Sequence, residues 1–131
     1  MDLASNQLCG LGRWGDGTYT AEGIKAIADA LRVNASITSL SLGDNCLGDE
    51  GVEALSVGLK ESKSLVTLNL SNGTHRHSTK FGPKGASALA SAIAVIPSLS
   101  RLDVRWNDLG AEGESLLRRA VEGRSEFELL L

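Results

Sequence analysis

Arg101, Asp103 and Arg105 alternate along the chain and run straight into Trp106. Alternation by two puts the three charged side chains on one side of a strand. Exposed Arg and Trp are also the residue types enriched where one protein grips another. A second concentration is His75-Arg76-His77. Two histidines at i and i+2 can share a metal, but no third Cys, His or carboxylate stands at a zinc-site spacing in that segment. A solvated loop is the simpler reading, and no metal is expected. Gly10-Leu11-Gly12-Arg13-Trp14-Gly15-Asp16-Gly17 is as glycine-rich as a phosphate loop, yet no Lys-Ser or Lys-Thr follows it. An inserted loop that needs a permissive backbone accounts for it. No Gly-x-Ser-x-Gly elbow occurs. The chain is therefore expected to be no enzyme and to carry no cofactor.

What positions these residues is a repeat. Ile37-Thr38-Ser39-Leu40-Ser41-Leu42-Gly43-Asp44-Asn45-Cys46-Leu47-Gly48 returns as Leu99-Ser100-Arg101-Leu102-Asp103-Val104-Arg105-Trp106-Asn107-Asp108-Leu109-Gly110. A partial copy, Leu65-Val66-Thr67-Leu68-Asn69-Leu70, lies between them. Ile37 to Leu65 is 28 residues, and so is Leu99 to Phe127. Leu40 and Leu42 alternate with Ser39 and Ser41, which predicts a short half-buried strand. Val52, Leu55 and Leu59 then fall on one helix face. Ile24, Ile27 and Leu31 repeat that face, as do Ala86, Leu89 and Ile93. The fourth copy keeps Gly113, Leu117, Ala120 and Val121 but has Glu114 and Leu116 at two columns. Units of this length cannot bury their own apolar face, so they stack. The expected fold is a single α/β domain over residues 1–131, with about four 28-residue repeats. Its parallel strands line an open face and its helices lie outside.

The pattern LxxLxLxxNxLG, with the Gly-x-x-x-Leu helix after it, resembles the leucine-rich repeat family. The 28-residue unit resembles its ribonuclease-inhibitor-like subclass, found also in NOD-like receptors and Ran GTPase-activating proteins. The resemblance implies a horseshoe-shaped solenoid with its sheet on the concave face and its helices on the convex face. It implies that Asn6, Asn45 and Asn107 sit inside turns and bond backbone groups of neighbouring coils. Those groups face no water and need partners.

Two repeats are longer than the rest. Residues are inserted near 10–18 and near 73–78, both between strand and helix and so on one rim. The second insertion puts Gly73 where Asn45 and Asn107 stand. Asn72 or Thr74 substitutes there, or the coil is locally irregular. Leu3 aligns with Leu42, so the chain starts inside a strand. Phe127 and Leu130 align with Leu65 and Leu68, a last strand without its helix. Neither end shows an obvious polar cap, which suggests a fragment of a longer array or self-association through the ends.

The net charge of −3, from 13 basic and 16 acidic residues, comes without a basic run or aromatic–basic interleaving. No nucleic-acid partner is expected. No apolar stretch approaches the ~18 residues of a membrane span, and Met1-Asp2-Leu3-Ala4-Ser5 is no signal peptide. Cys9 and Cys46 read as small apolar residues of a cytoplasmic protein. The expected function is a protein–protein interaction module binding through Ser41, Asn69, Arg101, Asp103, Arg105 and Trp106, with Arg13, Trp14 and Arg76 on the rim. The alternatives are a regulator of a small GTPase acting through Arg13 or Arg76, and a purely structural spacer.

Overall fold

The computed structural model describes residues 1–10, 17–73 and 80–131. Strand and helix alternate: α1 (Glu22–Val33), β1 (Ser39–Ser41), α2 (Gly48–Leu59), β2 (Thr67–Asn69), α3 (Pro83–Ile93), β3 (Arg101–Asp103), α4 (Gly110–Ala120) and β4 (Glu128–Leu130). The strands form one parallel sheet in the order β1-β2-β3-β4. Each strand with its helix is one coil. Coil 1 is the segment 1–5 with α1; coils 2, 3 and 4 follow. Segment 1–5 extends the sheet beyond β1, where Asp2 bridges Ser41 and the Leu3 N–H donates to the Ser41 carbonyl at 2.8 Å.

Register places one leucine column on another. Leu40 faces Leu68, Leu68 faces Leu102, and Leu102 faces Leu129. Leu40, Leu42, Leu68 and Leu102 are buried, as are Val52, Leu55, Leu59, Leu89, Ile93 and Leu117 on the helices. One core therefore runs through every coil, and no coil could close it alone.

The last strand departs from the expected alignment. Leu129, not Leu130, pairs with Leu102, and Leu130 pairs with Asp103 on the open face. Leu99 and Leu102 are three apart, but Phe127 and Leu129 are two apart. Phe127 still packs on the core with Leu129 and Leu131. One residue fewer before the strand flips the faces, since side chains alternate with period two.

The ends differ from each other. A Cβ on Gly58 would lie 2.2 Å from the Ala28 carbonyl oxygen, so the Gly58 column faces the preceding coil and the Ala28 column the next. In coils 1 to 3 the next-coil columns hold Ile24 and Ala28, Val52 and Ser56, Ala86 and Ala90. In α4 they hold Glu114 and Arg118, an ion pair at 3.8 Å. The face of α4 turned away from α3 is thus polar, where the sequence showed no obvious cap. At the other end, Ala26, Ile27, Ala30, Ile37 and Leu40 line an apolar groove.

Candidate interaction surface

Pairing by register builds two columns on the open face. One is Ser39, Thr67, Arg101 and Glu128; the other is Ser41, Asn69, Asp103 and Leu130. Coils 2 and 3 offer small neutral groups, and charge concentrates in coil 4. Arg101 Nε meets Glu128 Oε2 at 3.1 Å. Arg105 forks onto Asp103, with Nε to Oδ1 at 3.0 Å and Nη2 to Oδ2 at 2.7 Å. Two parallel N–H···O bonds fix the guanidinium plane as one could not.

Asp103 lies beneath that guanidinium and is only 3% exposed. Burial pushes its carboxyl pKa up. The Arg105 side-chain and backbone hydrogen bonds, with the charges of Arg105 and Arg101, outweigh burial and hold it below the ordinary value. Asp103 also accepts the Arg105 N–H at 3.1 Å, as Asn69 accepts the Ser71 N–H at 2.9 Å and Asp2 the Ala4 N–H at 3.0 Å. These short polar side chains bond the backbone two residues on and turn the chain out of the sheet. Asp103 therefore acts through Arg105 and is not itself a contact surface. Asn69 has its carbonyl oxygen committed in the same way.

The Arg105 guanidinium also stands 4.9 Å from the centroid of the Trp106 ring. Trp106 is 57% exposed. Its backbone has φ +61°, and the coil-equivalent residues Ser5 and Asp44 both have φ +57°. The turn takes that conformation in coils 1, 2 and 4. Ser and Asp tolerate it; a bulky residue does so at a cost. The indole covers Gly73, where a Cβ would lie 2.8 Å from ring carbon Cε3.

Beneath this rim lie the turn asparagines. The Asn45 carbonyl accepts the N–H groups of Asn6 and Leu8 at 2.8 and 3.2 Å, and its amide donates to the Leu3, Leu42 and Gly43 carbonyls. Asn107 donates to the carbonyls of Leu70 and Val104 and accepts the Phe81 N–H at 3.4 Å. The side chain of Asn6 makes only the local bond to the Ala4 carbonyl, and Asn6 is exposed.

The leucine-rich-repeat pattern matches residues 33–56 and 95–117, one in each half of the chain. The fold is a leucine-rich-repeat fold. The leiomodin-1 structure described as actin-binding site 2 superposes with TM-score 0.68 at 22% identity, over 85% of this chain and 62% of that one. This chain thus spans less than two thirds of that leiomodin-1 chain. The tropomodulin C-terminal domain of Caenorhabditis elegans superposes with TM-score 0.72 at 18% identity, over 100% of this chain and 71% of that one. No curated protein matches the sequence.

Within the repeats, Ser41, Asn69, Arg101, Asp103, Arg105 and Trp106 all come to the sheet face or its rim, in the expected columns. Arg13, Trp14 and Arg76 lie outside the described residues, as do His75 and His77. Among the described residues no group of three His, Cys, Asp or Glu is placed to hold a metal, and no helix is long and apolar enough to cross a membrane. Two positions escaped sequence reasoning. Leu130 joins the open face through the shortened connection. Asp49, in the first turn of α2, accepts the Gly82 and Gly85 N–H groups at 2.9 and 2.7 Å and so caps α3 from the neighbouring coil. Ala21, Pro83 and Ala111 hold the equivalent positions, so no repeated pattern marks it.

Proposed function

We propose that this leucine-rich-repeat domain is a protein-interaction module and not an enzyme, and that it binds through the coil 4 side of its open face. The observation that carries this reading is Trp106. A large aromatic side chain stands exposed on a backbone conformation that disfavours it, and its ring lies against both Arg105 and Gly73. Strain kept at an exposed residue is a pointer to function. An immobilised aromatic beside an arginine loses little side-chain entropy on binding. Leu130 and Arg101 extend the same patch.

Actin is the first partner to test, because the similar leiomodin-1 structure is described as an actin-binding site. Co-sedimentation and pull-down with actin should recover this chain, with Trp106→Ala and Arg105→Ala each weakening capture at least about tenfold, as hot-spot residues do. Undiminished capture by both variants would move the binding surface elsewhere. The GTPase-regulator alternative rests on Arg13 and Arg76 and gains no support from the comparisons. A second reading concerns self-association. The apolar groove of α1 has the Ala26 and Ala30 columns that receive a helix in the other coils. A second copy docking there would use its own α1 groove, since burying the Glu114–Arg118 pair of α4 against apolar residues costs more than it returns.

A further inference from the structure

Gly73 is the coil 3 equivalent of Asn45 and Asn107, and it has no side chain with which to bond the turn. The groups that its asparagine would serve follow from register. Asn45 accepts from Asn6 and Leu8 one coil back, whose equivalents for coil 3 are the Asn45 and Leu47 N–H groups. Asn45 and Asn107 donate to Leu3 and Leu70 carbonyls one coil back, whose equivalent is the Leu42 carbonyl. A small cavity lies at this place, lined by Leu42, Asn45, Leu47 and Asn72 among others. The space in it open to the centre of a water molecule is about 10 Å³. Asn72 is only 5% exposed, and among the described residues its Oδ1 has no hydrogen-bond partner.

We propose that one ordered water molecule occupies this cavity and does for coil 3 what the asparagine side chain does for coils 2 and 4. The volume suits a single water, and a buried water needs two to four polar partners. The cavity supplies them: N–H donors from Asn45 and Leu47, and acceptors in Asn72 Oδ1 and the Leu42 carbonyl. A buried carbonyl oxygen without a partner is costly. Water removes that cost without adding a side chain. The reason coil 3 uses water lies at the rim. A Cβ on Gly73 would stand 2.8 Å from the Trp106 ring, so the coil can hold either the asparagine or the indole in its present place. The water site is thus the hidden half of the Trp106 platform.

A high-resolution crystal structure should show a water within about 2.7–3.2 Å of Asn72 Oδ1. Water-to-amide NMR transfer should give cross-peaks at the Asn45 and Leu47 N–H groups of the unsubstituted protein. The double variant Gly73→Asn/Trp106→Ala restores the asparagine and makes room for it, and both cross-peaks should disappear, while Trp106→Ala alone keeps them. An empty cavity with Asn72 Oδ1 bonded to a protein donor would overturn the proposal. So would cross-peaks missing from the unsubstituted protein, or persisting in a folded double variant.

Discussion

The indole of Trp106 fills the space that a Cβ on Gly73 would need, its Cε3 standing 2.8 Å from that position. The two residues belong to neighbouring coils and 33 positions of sequence separate them. Gly73→Ala should therefore displace the ring, with overpacking costing about 1–3 kcal/mol. In a Trp14→Phe background, indole emission should shift to longer wavelength in the alanine variant. Unchanged emission and melting would mean that the ring does not rest on Gly73.

Trp106→Asn separates folding from binding. Asparagine accepts a positive φ far better than tryptophan, so the relief of strain offsets the lost contact with Gly73. Stability should stay within about 1 kcal/mol by denaturant melts, while partner capture drops at least about tenfold. A variant that melts much earlier would make Trp106 a structural residue.

Asn45→Ala and Asn107→Ala should each cost about 1–3 kcal/mol, because each strands buried backbone groups of two coils. Asn6→Ala should stay within about 0.5 kcal/mol, as expected for an exposed residue with one local bond. Equal losses at all three positions in thermal melts would show that the side chains do not work through the inter-coil bonds.

The Asp103 carboxyl titrates below its unfolded value, so the folded state binds fewer protons than the unfolded chain in acid. The stability from the Asp103–Arg105 pair is present above the ordinary carboxylate pKa of about 3.9 and is lost as pH falls through the lower folded value. Asp103→Asn should lower the melting temperature at neutral pH, and the gap should close on acidification. A gap that widens below pH of about 4 would contradict the pairing.

The repeat made the sheet, the helices and the leucine columns legible, because burial on one face imposes its period on every coil. Arg101, Arg105 and Trp106 followed from the same period. What escaped is what breaks it. A shortened connection moved Leu130 to the open face. Asp103 has the spacing of a surface residue but lies under the arginine that it positions. Asp49 serves a helix 33 residues away through one short side chain, a bond visible only once two coils are stacked. Asp49→Ala should cost about 0.5–2 kcal/mol, as the loss of a helix cap does. Faster amide exchange should then be confined to the first turn of α3; exchange unchanged at Gly82 and Gly85 would remove Asp49 from the cap.

The two ends of the stack predict different responses to substitution. Ala30 stands in the column of Gly58, whose closeness to the Ala28 carbonyl shows how tightly a helix is received there. A charged side chain in that column blocks such an approach by bulk and by the cost of burying it. If copies of this chain meet through their α1 grooves, Ala30→Glu should yield a monomer, because Ala30 is exposed and its replacement leaves the core intact. Arg118→Ala, at the opposite end, should leave the association unchanged. Light scattering across a concentration series distinguishes the cases. Association abolished by Arg118→Ala and kept by Ala30→Glu would place the contact on α4, and a monomer without substitution would leave the groove without a second copy as its occupant.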